Sequence, residues 1–209
     1  MKMAVVRHTS INCLAISGLA LLTLSLAPSP ISPDLEEPHL FELPPPEVTG
    51  LVAPWSCGEE FTVSLGHHER SHQGPGQWAW DFATPKGTLL RAPAEGTIRM
   101  VRDDSLRHGC NPAYAWDANY VVLELGGGYE VLLLHLEAGS ALVEPGQRVS
   151  VGQPLARVGD SGYVCGTHLH FQVQKSCSSW WCPSVPAAFS EDLRLEPGQV
   201  LRRTDCPTS

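Results

Sequence analysis

Helical periodicity is what this sequence of 209 residues lacks. Beyond residue 27 no window of 12 residues carries the apolar stripe of an amphipathic helix, and only AAFSEDLRL (residues 187–195) offers a short helical turn. The motif H-E-x-x-H is absent too, which excludes the helical zinc proteases. Basic residues are scarce: Lys and Arg number 14 against 22 Asp and Glu. Lys2 and Arg7 precede every acidic residue, so the chain after residue 27 carries a net charge of about −10. Binding a nucleic-acid backbone needs a basic face, so nucleic acid is excluded as a partner. The same sign argues against simple electrostatic adhesion to anionic wall polymers or lipids.

Long apolar runs are also rare. The one clear run, Cys13 to Ala27, is about 15 residues, short of the roughly 20 a helix needs to cross a bilayer. It follows Lys2 and Arg7 and ends at a Pro- and Ser-rich stretch, which is the layout of a secretory signal peptide over residues 1–27. Cleavage predicts an exported protein, periplasmic or secreted, with no stable membrane insertion afterwards. Cys13, in the context SINC, is placed too early for a lipoprotein site.

Residues 28–54, with PPP at 44–46, read as an extended linker. From residue 55 to 209 the pattern changes to short apolar runs split by Gly and Pro: FTVSL, WAWDF, GTIRMV, NYVVLEL, YEVLLLHL, QRVSV, PLARVG and HLHFQVQ. This spacing predicts one all-β domain. GGG at 126–128 between two such runs is a hairpin signal. Six cysteines lie beyond residue 27, and an even count in an exported chain predicts disulfides. Of the possible pairings, Cys177 with Cys182 and Cys110 with Cys165 are preferred.

The chemistry is carried by histidine. His168 and His170 stand two apart in HLHFQVQ, so on a strand both project to one face while Leu169 points to the other. His135 closes the apolar run EVLLLH, where a buried imidazole needs a partner or a job. Asp81 sits among apolar and aromatic residues in WAWDF, a costly place for a carboxylate unless it is paired or metal-bound. His72 precedes it by nine residues across the loop QGPGQ; His67, His68 and His108 read as surface residues. Catalytic zinc takes three protein ligands from His and carboxylate and keeps one position for water, whose pKa it lowers to about 7. Two further imidazoles nearby supply acid-base and electrostatic groups.

SHQGPGQWAWDFATPKGTLLRAPAEGTI, NYVVLELGGGYEVLLLHL and VEPGQRVSVGQPLARVGDSGYVCGTHLHFQVQ together resemble the LytM/lysostaphin (LasA-like) family of peptidoglycan zinc metalloendopeptidases, in order over roughly residues 60–175. The resemblance implies a two-sheet antiparallel β core with an open active-site groove. It implies zinc held by His72, Asp81 and His170, with His135 and His168 as the catalytic histidines serving water and transition state, and a peptidoglycan peptide as substrate. The sequence departs from the family pattern in three places. His72 and Asp81 are nine apart where many members have four, a spacing closer to the staphylolytic secreted branch, and His67 or His68 remains an alternative to His72. Leu134 replaces a frequent tyrosine, and Cys165, read as a disulfide partner, stands where a small polar residue is usual.

The alternative function is a catalytically silent peptidoglycan-binding or amidase-activating module, against which the intact set of five site residues argues. A lipoyl-carrier-like or sugar-binding hairpin domain is a third reading, and VEPGQRVSVGQPLARVG lacks the lysine that lipoate attachment would need. Trp78, Trp80, Trp180 and Trp181 are expected in the core. The sequence names neither a regulatory protein nor the bond that is cut.

Overall fold

A computed structural model describes residues 44–191 and 195–206. The signal-peptide reading of residues 1–27 and most of the linker fall outside the described residues.

The apolar runs become strands because alternate side chains can be buried on one face of a sheet. In chain order they are β1 (Val48–Leu51), β2 (Glu60–Leu65), β3 (Trp80–Ala83), β4 (Leu89–Arg91), β5 (Gly96–Arg102), β6 (His108–Gly109) and β7 (Tyr120–Gly126). There follow β8 (Tyr129–Leu134), β9 (Arg148–Val149), β10 (Pro154–Arg157), β11 (Gly162–Tyr163), β12 (Leu169–Lys175), β13 (Ala187–Phe189) and β14 (Val200–Arg202). Eight of them form one antiparallel sheet in the order β14-β2-β3-β12-β8-β7-β5-β9. The β4–β10 ribbon is antiparallel as well, whereas the short pairs β1–β13 and β6–β11 are parallel. Helical structure among the described residues is limited to 3-10 turns at Gly74–Gly76 and Pro112–Asp117. At the β7–β8 hairpin Gly126, Gly127 and Gly128 all adopt positive φ, the conformation that only glycine takes without strain.

The two faces of the large sheet differ. Val121, Leu123, Val131, Leu133, Leu169, Phe171, Val173, Trp80 and Phe82 point inward and pack on Leu90, Leu155 and Val158 around the β4–β10 ribbon. The outward residues on the same strands are Tyr120, Val122, Leu132 and Leu134, followed by a polar row containing Asp81, His170, Gln172, Gln174 and Glu130. Phe171 is fully buried against Trp80, Phe82 and Phe189. Replacing it with alanine is expected to destabilise the domain by about 3–5 kcal/mol, read as a shift of the urea midpoint.

Several expectations need correction. The folded part begins before residue 54: Val48–Leu51 pair with β13, and Leu51, Val52 and Ala53 are buried, because they cover apolar surface at the end of the core. Within AAFSEDLRL, Ala187–Phe189 form a strand rather than a helical turn, since all three residues are buried and leave no polar face to turn to water. The disulfides are Cys110–Cys165 and Cys177–Cys182, the two preferred pairs, together with Cys57–Cys206. The last ties the entry to β2 to the chain beyond β14. Closing a loop of 149 residues contributes on the order of 5 kcal/mol in the chain-entropy account.

Candidate metal centre and groove

Register creates the centre. Asp81 on β3 lies directly opposite His170 on β12, and because Trp80, Phe82, Leu169 and Phe171 are committed to the core, both polar side chains must face outward. His72 comes from the loop joining β2 to β3. That loop is folded back by Gly66 N–H donating to Glu69 Oε2 (2.9 Å) and by His68 N–H donating to Gln77 O (2.8 Å). His72 Nε2 then lies 3.1 Å and His170 Nδ1 2.9 Å from the same oxygen, Asp81 Oδ1. The three ligand atoms are within 4.8 Å of one another, and all three residues are buried.

The outer partners of the two imidazoles decide their tautomers. A carbonyl only accepts, so His72 carries its proton on Nδ1 and donates it to Gly66 O (2.6 Å). The Gln172 amide donates from Nε2 to Gln174 Oε1 and to Cys182 O, so its Oε1 accepts the His170 Nε2–H (3.2 Å). The remaining lone pairs of His72 Nε2 and His170 Nδ1 therefore converge on a carboxylate oxygen. Three acceptors at this separation repel unless a positive centre, a metal ion or added protons, lies among them. Two imidazole nitrogens, each with an outer partner, and a carboxylate oxygen are the donor set that zinc takes when one position stays open, and they fit it.

His135 and His168 stand beside this cluster, their ring centroids 4.6 Å apart. His135 follows β8 with φ of 64°, a left-handed conformation that ends the strand and turns the ring toward the groove. Its Nδ1–H donates to Ser161 O (2.8 Å), and Gly159 N–H holds its carbonyl (2.8 Å). Buried Asn119 braces the turn, accepting from Ser105 N–H and donating to Ser105 O and Leu136 O. The His168 Nδ1–H donates to Gly166 O (2.7 Å), and its Nε2 lies 3.5 Å from Asp81 Oδ2. Cys165, just upstream, is tied to Cys110 and is thereby removed as a free thiol or metal ligand.

Burial alone would raise the Asp81 carboxyl, but hydrogen bonds with His170 and His72 and the charges of His170 and His168 hold it well below the usual carboxylate range. Burial also opposes a charge on His72, yet its hydrogen bond to Asp81 prevails and its pKa is raised. For His135 burial, with repulsion from His168 and His170, pushes the pKa down to about 3. Burial likewise lowers His170.

The cluster opens into a groove of about 800 Å³ walled by Trp116, Trp180, Trp181, Tyr163 and Arg70. All five site residues expected from the sequence meet here. His67 and His68 do not: His67 packs on Trp78 and Trp80 (ring centroids 5.2 and 4.4 Å), and His68 on Trp78 (4.4 Å). His67 is also not the surface residue expected, because those rings half-bury it, and burial lowers its pKa to about 4. Trp78 and Trp80 are buried as expected, but Trp180 and Trp181 are groove walls. The Cys177–Cys182 loop holds them over the outer face, stacking Trp180 on Tyr120 (4.8 Å) and setting Trp181 beside His170 (5.6 Å). Sequence reading missed Trp116 and Gln172 altogether.

The sequence model of Peptidase family M23 matches residues 75–180. The peptidoglycan DD-endopeptidase ShyA of Vibrio cholerae is 39% identical over 93 residues, which cover 44% of this chain and 19% of ShyA. ShyB of the same organism is 36% identical over 93 residues, with the same coverages of 44% and 19%. The chain thus spans about one fifth of the length of these curated relatives. A crystal structure of a zinc containing peptidase from Vibrio cholerae is 29% identical, with a TM-score of 0.41, and covers 65% of this chain and 37% of that one. Since the family's sequence model matches half of its length, the chain belongs to peptidase family M23.

Proposed function

We propose that the chain is an exported zinc metalloendopeptidase that hydrolyses peptide bonds in peptidoglycan cross-links or bridges. The observation that carries this reading is the convergence of His72 Nε2, Asp81 Oδ1 and His170 Nδ1 at the floor of an open groove, with the outer hydrogen bonds of both imidazoles already satisfied. The names of ShyA and ShyB, peptidoglycan DD-endopeptidases, support the substrate class. Three disulfides and the apolar leader support export to an oxidising compartment. Among the described residues no helix is long and apolar enough to cross a membrane.

His72, Asp81 and His170 would hold the zinc. When bound, zinc supplies a polarising charge at the scissile carbonyl and acidifies water. His135 and His168 each commit Nδ1–H to a backbone carbonyl, so each presents an unprotonated Nε2 toward the groove. Either can take a proton at Nε2 during attack, and only the ring so protonated becomes an Nε2–H donor able to hydrogen-bond the developing oxyanion. Trp181 and Trp116 offer flat apolar surface along which an extended peptide lies.

The decisive experiment is mass spectrometry of fragments released from purified peptidoglycan by the zinc-loaded protein, with and without chelator. The expected result is one zinc per chain and new fragments that vanish on chelation. Their masses identify the bond. Intact sacculi with a folded, zinc-occupied protein would point instead to a binding or activating module.

A further inference from the structure

Polar side chains in the middle of a covered sheet face are costly unless each finds a partner. Gln172 and Gln174 on β12 and Glu130 on β8 are all fully buried on the outer face, and Gln174 is the register partner of Glu130. Their hydrogen bonds form a single directed chain. His170 donates Nε2–H to Gln172 Oε1 (3.2 Å), Gln172 donates to Gln174 Oε1 (2.8 Å), and Gln174 donates to Glu130 Oε2 (3.1 Å). Arg99 closes the far end, 2.6 Å from the Glu130 carboxylate. Every donor points away from His170 toward a buried negative charge, so the bonds polarise one another in one sense. The same groups hold the Cys177–Cys182 loop: Gln172 donates to Cys182 O (3.2 Å), Gln174 to Trp180 O (3.0 Å) and Arg99 to Ser179 O (2.7 Å), while Cys182 N–H donates to Gln174 Oε1 (3.1 Å).

We propose that Gln172, backed by Gln174 and Glu130, is a positioning residue that fixes His170 as its Nε2–H tautomer and so aims the Nδ1 lone pair at the metal, while tying that ligand to the tryptophan wall of the groove. The inference rests on the zinc reading above. Neither glutamine lines the groove; both act through His170 and the loop. A carboxamide suits the position because it alone both accepts from the imidazole and donates to Gln174 and Cys182. Glutamate in its place would still accept from His170 but would face two acceptors on its other side.

The test uses the full chain with zinc alone as ligand, measuring affinity by competition with a chelator of known strength and the His170 tautomer by long-range 1H–15N NMR. Gln172→Leu is expected to weaken zinc binding by about 10- to 100-fold, the usual cost of losing an outer partner of a metal-bound histidine. Gln172→Glu is expected to keep near-original affinity while loosening the loop, read as a rise in KM and a change in tryptophan fluorescence. Unchanged affinity in Gln172→Leu overturns the proposal. So does Gln172→Glu binding zinc as weakly as Gln172→Leu, because that outcome assigns the loss to general disruption of the sheet face. Should leucine prevent folding, the unsubstituted protein decides, and a His170 proton on Nδ1 rather than Nε2 overturns the proposal. Absence of zinc binding by the unsubstituted protein overturns the metal reading itself, and this inference with it.

Discussion

Asp81→Asn is expected to abolish stoichiometric zinc binding and the release of peptidoglycan fragments while leaving the fold in place. Asp81 Oδ1 is the point on which the His72 and His170 imidazoles converge, at 3.1 and 2.9 Å. On the proposed reading, removing its charge takes away one of three ligands and the only negative one, so the loss of affinity should exceed the roughly 10- to 100-fold that an outer partner costs. Asparagine is nearly isosteric, and its amide N–H can donate to the imidazole lone pairs that the carboxylate leaves opposed. The variant should therefore melt close to the parent, which alanine would not guarantee beside two buried histidines. Isothermal titration with zinc, a thermal melt and the fragment assay together check this. A variant that still binds one zinc per chain with parental affinity would remove Asp81 from the ligand set.

Much of the fold was legible because the core strands obey a period of two. HLHFQVQ places Leu169, Phe171 and Val173 inside and His170 outside, and WAWDF does the same for Trp80, Phe82 and Asp81. Once those runs pair in the register that buries both apolar sets, Asp81 and His170 have to meet. The identity of the third residue was less legible, since His67, His68 and His72 all precede one loop. What separates them is tertiary: Trp78 and Trp80 draw His67 and His68 to themselves, and Gly66 O claims the His72 Nδ1–H. β1 escaped detection because its partner, β13, is 139 residues away, as in the register pair Val48 and Ala187, and nothing local announces a parallel pairing of that span. Gln172 and Gln174 look like solvent-facing positions on an amphipathic strand. They are buried because the loop closed by the Cys177–Cys182 disulfide folds over them, which also explains why Trp180 and Trp181 line the groove rather than the core.

Removing either histidine beside the metal ligands is expected to lower kcat by about 10²- to 10⁴-fold with zinc still bound at one per chain. The two positions call for different substitutions. His168 is half-buried at the groove edge, with its backbone in no special conformation, so alanine removes the ring at little structural cost. His135 sits at φ 64°, where alanine pays for the left-handed backbone in addition to losing the imidazole. Asparagine tolerates that conformation and is the fairer test there. Because both rings present Nε2 to the same small volume, their ring centroids 4.6 Å apart, the double variant should lose little more than the worse single one. Strict multiplication of the two losses would mean that the histidines serve separate steps. A kcat unchanged in His168→Ala, with zinc and fold intact, would confine the proton transfer to His135.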